Sequence, residues 1–306
     1  MKVLKRSFRN IIFKVRQTLQ LDRAIILQGQ LLGEQILSRG RLECLSDAGF
    51  GVFSQSDEDG ILHWLVRALP VHNRTFVEFG VHDYRESNTR FLLMTQNWSG
   101  LIIDGDQDNI DAVRIDGLAS FYDLQTAATF IDRDNISRVI RDAGFSSRIG
   151  ILSVDIDGVD YWVLERIILE ADIIVVEYND FLGESPVSVP YSETFRRMET
   201  EPHGIYWGAS LSAFRHLLEN KGYVFAGTNR LGINAFFVHK DHTAALHGLL
   251  NSIVAHPCKI REARDEKRRP SYKRYIDYGA NIVDKPLVNV TDGTTVRLGD
   301  VCRKIS

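Results

Sequence analysis

Three things are scarce in this sequence, and each scarcity removes a class of function. Only three cysteines, Cys44, Cys258 and Cys302, occur in 306 residues, far apart and with no C-x-x-C pair. That excludes a disulfide framework and a cysteine-based zinc site, and it fits a reducing compartment. No apolar run approaches the roughly 18 residues needed to span a bilayer, and the N-terminus lacks the continuous apolar stretch of a secretory signal. Charge of one sign is also missing in bulk, the formal net charge being -3. A nucleic-acid surface normally shows a basic excess, so no nucleic-acid partner is expected. These absences together predict a cytoplasmic protein.

What is present is ordinary in amount: 44% hydrophobic and 25% charged residues, as in soluble globular proteins. The length suits one large α/β domain with appendages, or two modest domains. Charge is unevenly spread, however. Residues 1–40 carry Lys2, Lys5, Arg6, Arg9, Lys14, Arg16, Arg23 and Arg39 against Asp22 and Glu34, with apolar residues interleaved at roughly helical spacing. Two readings stay open. One is a basic amphipathic helix lying on the anionic inner face of a membrane. The other is a helix packed on the body or on a second subunit of a homo-oligomer.

From residue 75 apolar runs of strand length alternate with helix-length stretches, the signature of a mainly parallel sheet. Strands are predicted at 75–81, 101–104, 120–123, 149–157 and 173–178, several apolar throughout, as strands covered on both faces should be. Helices are predicted after Asn88, over 108–114 and 134–143, and from Asp160 to before Ala171. The rhythm then breaks. A helix over 210–220 is followed by strands at 223–226 and 233–239, joined by a link too short for a parallel crossover, so they form an antiparallel hairpin. The expectation is a Rossmann-like α/β sheet, mainly parallel with a terminal antiparallel hairpin and helices on both faces. The chain divides into a helical extension over 1–50, a core over 51–240, and an extension over 241–306. That last part holds a solvated charge run (259–269) and a small hairpin (286–301).

In an open α/β sheet, ligands bind at the carboxyl ends of the strands. The first strand ends Glu78-Phe79-Gly80-Val81-His82-Asp83, with a glycine where a ligand can approach the backbone, but it is not a G-x-G-x-x-G. That argues against a dinucleotide whose pyrophosphate needs a glycine loop. Asp104 closes the second strand 24 residues past Gly80, near the offset of about 20 at which an acidic side chain meets ribose hydroxyls. Asp104 is also a plausible turn former before a helix. The fourth strand runs into Asp155-Ile156-Asp157-Gly158-Val159-Asp160, and Glu177 ends the fifth. Alternation would put Asp155 and Asp157 on one face, where they need a cation, a donor or a raised pKa. Asp155, Asp157 and Glu177 are therefore candidate ligands of Mg²⁺. In the alternative, Asp157 or Asp160 caps the next helix.

The blocks Phe53-Ser54-Gln55 with Asp57-Glu58-Asp59-Gly60, Phe76-Val77-Glu78-Phe79-Gly80, Ser87-Asn88-Thr89, Trp98 to Asp104, and Ser153-Val154-Asp155-Ile156-Asp157-Gly158 resemble the FkbM-type branch of the class I S-adenosylmethionine-dependent methyltransferases. The resemblance covers about residues 53 to 240. It implies S-adenosylmethionine as cofactor, with Glu78, Gly80, Ser87, Asn88 and Asp104 lining its site and Asp155 beside its methionine part. It also implies O-methylation of a sugar, a cell-surface glycan or a natural product. Two positions depart from the family: Val81-His82-Asp83, where a small residue and glycine are common, and Asp104, where glutamate is commoner.

Methyl transfer to a hydroxyl needs a group to take the proton. Asp157, Glu177, His203 and His82 are the candidates, with Asp157 and Glu177 preferred. Tyr206-Trp207-Gly208 would stack on a sugar ring or belong to the core. Two other functions remain open: a metal-dependent nucleotide-sugar transferase using Asp155 and Asp157, and a non-catalytic binding protein that keeps the fold.

Overall fold

The computed structural model describes residues 21–260, 263–271, 277 and 282–302. Residues 1–20, with most of the basic N-terminal segment, lie outside the described residues. The chain enters through α1 (Leu21–Leu37), a short 3-10 turn and α2 (Glu58–Ala68). Four β-α steps and a fifth strand follow: β1 (Thr75–Phe79), α3 (Arg90–Gln96), β2 (Ser99–Asp104), α4 (Gln107–Asp116), β3 (Leu124–Ala128), α5 (Ile136–Asp142), β4 (Ile149–Val154), α6 (Asp160–Arg166) and β5 (Ala171–Glu177). A two-residue strand β6 (Val187–Ser188) and the short α7 (Arg197–Thr200) lie in the excursion after β5. Then come α8 (Leu211–Asn220), β7 (Tyr223–Thr228), β8 (Asn234–His239), α9 (Thr243–Leu249), β9 (Pro286–Asn289), β10 (Thr295–Arg297) and α10 (Leu298–Val301).

The main sheet has the order β3-β2-β1-β4-β5-β8-β7. β1 to β5 pair in parallel, and β8 lies antiparallel to both β5 and β7. This is a Rossmann-like sheet, mainly parallel, with a terminal antiparallel hairpin. Its strands are apolar on both faces because each face meets its own core. Val77, Phe79, Ile103, Val154, Val176 and Phe237 point into one buried cluster, while Phe76, Ile102, Ile151, Val175, Phe236 and Val238 point into the other. The period-2 alternation is intact; only the polar face is missing, because helices cover both sides. Each such fully buried Phe or Ile contributes about 1.5–3 kcal/mol.

Several expected boundaries shift for physical reasons. The third strand is not at 120–123 but at Leu124–Ala128, because Leu118–Ser120 closes a 3-10 turn first. This is an edge strand, paired to β2 alone, and it is only half covered, so its apolar signal is weak. The fourth strand stops at Val154 rather than 157. The helix over 210–220 is correct, its cap being Ser210, whose side chain accepts from the Ala213 N–H. Within 259–269, the described residues form a turn and an isolated bridge between Arg264 and Pro270 rather than a helix. The terminal hairpin forms as β9–β10, and β9 also pairs with β6, so Leu287, Leu298 and Cys302 join the main core. Among the described residues, no helix is long and apolar enough to cross a membrane.

Candidate active site

A cavity of about 630 Å³ opens at the carboxyl ends of the strands, lined among others by Glu78, Gly80, Ser87, Asn88, Asp104, Asp155, Asp157 and Glu177. That volume is within the usual range for a small-molecule site. His203 is not among the lining residues.

The β1 end is built around glycine. Gly80 has φ +70°, and a Cβ there would stand 1.6 Å from the Asp155 carbonyl oxygen. The loops after β1 and β4 therefore touch through Gly80, and no other residue fits. Two residues on, His82 adopts φ +48°. It takes a glycine-like conformation with an L side chain, which accounts for the departure from a small-residue-and-glycine pattern. The strain is held by a hydrogen bond from the His82 N–H to Asp104 Oδ2 at 2.8 Å.

Asp104 combines both roles considered from the sequence. Its Oδ1 accepts from the Asp106 N–H at 2.8 Å and from Asn109 Nδ2 at 3.0 Å. It thus joins the loops after β1 and β2, and it still lines the cavity. A carboxylate has about four acceptor directions, so one further donor, such as a ribose hydroxyl, can be added to these three bonds.

Glu78 is buried and turned toward the loop after β1. It accepts from the Asn88 N–H (2.8 Å), the Thr89 N–H (3.2 Å) and Thr89 Oγ1 (2.5 Å). Burial nonetheless raises its pKa to about 7, the hydrogen bonds offsetting only part of the desolvation. Asn88 in turn donates to Ser153 Oγ at 3.0 Å, tying this loop to β4. Ser87 is buried beside it. Glu78 thus shapes the pocket wall in addition to lining it.

The acidic blocks at 57–60 serve a parallel purpose. Asp59 Oδ2 accepts from the N–H groups of Val52, Phe53 and Ser54. Glu58 Oε1 accepts from Asn229 and Asn234 Nδ2, fixing the turn between β7 and β8 to the same loop. Gln55 and Asn234, which these bonds position, both line the cavity.

At the other end, Asp155, Asp157 and Glu177 each offer an oxygen, all within 4.8 Å of one another. They converge by a route different from strand alternation, since 155–158 is a turn with Asp157 at φ +56°. Asp160 does not cap α6. It reaches back, Oδ1 accepting from the Ile156 N–H (2.7 Å) and Oδ2 from the Gly158 N–H (2.9 Å). Burial raises its pKa to about 6. Burial comes first, followed by repulsion from Asp157 and Asp160 on Asp155 and from Asp155 and Asp157 on Glu177, and together these hold Asp155 and Glu177 well above the usual carboxylate range. Glu177 Oε2 has no hydrogen-bond partner among the described residues.

Arg197 is the cation of this cluster, and sequence reasoning missed it. Its Nη1 lies 2.5 Å from Asp157 Oδ1, its Nε donates to the Gly204 carbonyl, and its guanidinium stacks 4.3 Å from the Trp207 ring centroid. It sits 40 residues from Asp157 with no motif around it, so topology alone brings them together. Arg264, Phe130 and Phe195 also line the cavity unannounced. Arg264 comes from the run that reads as a solvated charge segment.

His203 stands apart from the other catalytic candidates. It is buried, its Nδ1 lies 2.5 Å from Glu201 Oε1, and it braces the loop instead of facing the cavity. The same holds for Tyr206 and Trp207, both buried in the core cluster. His82 does line the cavity.

No family model matches the chain, and no curated protein does. Among solved structures, it is similar to the N-terminal domain of EvdMO1 with SAH bound, at 12% identity, TM-score 0.40, over 71% of this chain and 94% of that one. It is also similar to a S-adenosylmethionine-dependent methyltransferase from Clostridium acetobutylicum ATCC 824 (8%, TM-score 0.39, 60% and 90%) and to CurJ carbon methyltransferase (11%, TM-score 0.38, 61% and 56%). The site's own geometry, not these distant likenesses, carries the functional reading.

Proposed function

We propose that this chain is a S-adenosylmethionine-dependent methyltransferase, similar to the FkbM-type branch, that methylates a hydroxyl of a sugar, a cell-surface glycan or a natural product. The observation that carries this is the polarity of one cavity. At one end, Gly80 and Asp104 offer a close backbone and a carboxylate without a glycine-rich phosphate loop, which suits adenosine. At the other, Asp155, Asp157 and Glu177 face one another within 4.8 Å, with Arg197 paired to Asp157. A sulfonium placed there would relieve the repulsion within this carboxylate cluster.

The chemistry is an in-line displacement, and the protein's part is alignment in a site with little water. S-adenosylmethionine, when bound, would supply the methyl group to the acceptor oxygen with loss of its carbon–sulfur bond, and the hydroxyl proton would pass to a base of this chain. Glu177 is the best candidate, because it lines the cavity and its Oε2 is unengaged among the described residues. Asp157, already held by Arg197, positions the acceptor.

Mg²⁺ fits the three carboxylates less well. One Asp157 oxygen is already taken by Arg197, which leaves fewer for an ion that demands a full octahedral oxygen set. The mechanism therefore needs no metal, and chelation should leave activity unchanged while Asp157→Asn lowers it. Loss of activity on chelation, restored by Mg²⁺, would reverse that assignment.

Calorimetry tests the function itself. S-adenosylhomocysteine should bind in the micromolar range or tighter, and Asp104→Ala should weaken it by at least about tenfold. Binding of a nucleotide sugar with Mg²⁺ instead would replace the methyltransferase reading with the transferase one. Cofactor binding without methyl transfer to a broad set of hydroxyl acceptors would favour a non-catalytic binding protein.

A further inference from the structure

Among the described residues, two arginines line the cavity, Arg197 and Arg264. Arg197 is committed, to Asp157 through its guanidinium and to the Trp207 ring beneath it. Arg264 is not. Its side chain makes one long hydrogen bond, from Nη1 to the Arg268 carbonyl at 3.4 Å, and no ion pair among the described residues. It is nevertheless half-buried. A guanidinium offers five donors in a planar fork. Partly withdrawn from water and without a carboxylate, such a group is a ready seat for an anion.

The loop that carries Arg264 is fastened on both sides of it. Ala263 is buried in the main core, its carbonyl accepts from the Ser271 N–H at 2.9 Å, and Arg264 itself bridges to Pro270. Asp265, the acid next in the chain, is used inside the loop. It accepts from the N–H groups of Lys267 and Arg269 and pairs with the Arg269 side chain at 2.7 Å. The Arg264 N–H donates to the His203 carbonyl at 3.1 Å, and the next carbonyl, that of Gly204, holds Arg197 Nε at 2.8 Å. Both arginines therefore rest on one loop, on the side of the cavity where Asp157 positions the acceptor. The residues assigned to the cofactor, from Glu78 to Asp155, come instead from β1, β2 and β4 and the turns that follow them.

We propose that Arg264 reads the acceptor and that the acceptor is acidic, a hydroxyl compound carrying a carboxylate or a phosphate. This rests on the methyltransferase reading above. Either oxyanion suits the guanidinium fork. An acidic acceptor must also pass the Asp155, Asp157 and Glu177 cluster, whose charge Arg197 already reduces and a sulfonium would reduce again. Arg264 then supplies a cation for the acceptor's own charge. A neutral acceptor would leave that cation covered and unpaired, a cost that an acidic one removes.

Calorimetry of the full chain saturated with S-adenosylhomocysteine tests this, with D-glucose, D-glucuronate and D-glucose 6-phosphate as probes. At least one acidic sugar should bind about fivefold or more tighter than glucose, and the tighter of the two identifies the oxyanion. Arg264→Gln should bring that sugar to parity with glucose, while Arg264→Lys should keep part of the preference. Both variants should hold S-adenosylhomocysteine within about twofold of the wild type. Both should also melt with it, because the side chain makes a single long hydrogen bond. The proposal is overturned if neither acidic sugar is preferred, or if Arg264→Gln keeps the preference. It is overturned too if Arg264→Gln weakens S-adenosylhomocysteine but not 5′-methylthioadenosine, which lacks the amino-acid carboxylate; Arg264 would then hold the cofactor. A wild type that does not bind S-adenosylhomocysteine contradicts the methyltransferase reading instead, and the sugar titrations without it still read Arg264.

Discussion

Strand β5 carries a carboxylate near each end, and the two ends are built on opposite principles. Asp172, at its start, is buried with Arg148 Nη2 at 2.5 Å and His242 Nε2 at 2.8 Å, and Arg148 also pairs with Asp241 at 2.7 Å. The hydrogen bond from Arg148 holds the Asp241 pKa below its ordinary value. Glu177, at the far end, lies among Asp155 and Asp157 with the nearby Arg197 charge only partly offsetting them, and burial pushes both Glu177 and Asp155 up. The start of the strand is a finished network. The far end is a set of charges kept incomplete by strained turns at Gly80, His82 and Asp157. Incompleteness of that kind marks a place where a ligand finishes the structure.

The contrast breaks most completely at Gly80. Replacing it with alanine drives a Cβ into the Asp155 carbonyl at 1.6 Å. Gly80→Ala should abolish S-adenosylhomocysteine binding in calorimetry, a loss of at least about 100-fold, and lower the melting temperature. Retained binding would mean that the loops after β1 and β4 do not meet as described.

Next in size is a pH effect confined to the cavity end. Glu78 rises from 4.5 to about 7, and Asp59 and Asp160 from 3.8 to about 6. A carboxyl whose folded pKa lies above its unfolded one stabilises fully below the unfolded value and loses that contribution as pH climbs through the folded one. Unfolding free energy from urea titrations should therefore fall between about pH 4 and 7, with Glu78 contributing on the order of 2 kcal/mol. Glu78→Gln should flatten the slope; an unchanged slope would assign it elsewhere.

The finished end should respond in stability alone. Arg148→Met leaves Asp172 with His242 only and should cost about 1.5 kcal/mol, the partial exposure of Arg148 limiting the loss. S-adenosylhomocysteine affinity should stay within about twofold. A loss of similar size, about 1–2 kcal/mol, is expected from Ser210→Ala, which removes the helix cap together with the Oγ bonds to the Ser185 carbonyl and from the Val187 N–H. It should move neither the pH slope nor ligand binding.

The difference between these ends also explains what was legible in the sequence. Strand ends are readable because apolar runs stop at charged residues, so Glu78, Gly80, Asp104, Asp155, Asp157 and Glu177 all reach the cavity. The fold was legible for the same reason, except at β3, whose half-covered edge weakens the apolar signal. What carries no local signature is the pairing of distant loops. Arg197 meets Asp157, and Asn234 meets Glu58, only through the excursion after β5 and the β7–β8 turn. His203 misled because a histidine beside glycine in a loop reads as exposed, whereas Glu201 draws it inward.

The central claim is that the Glu177 end of β5 is a seat for a cation. S-adenosylmethionine carries a positive sulfonium and S-adenosylhomocysteine does not, so the ratio of their Kd values reads that seat directly. The wild type should favour the sulfonium, and Glu177→Gln should shift the ratio at least about fivefold toward the neutral ligand. A ratio unchanged in Glu177→Gln would contradict the account.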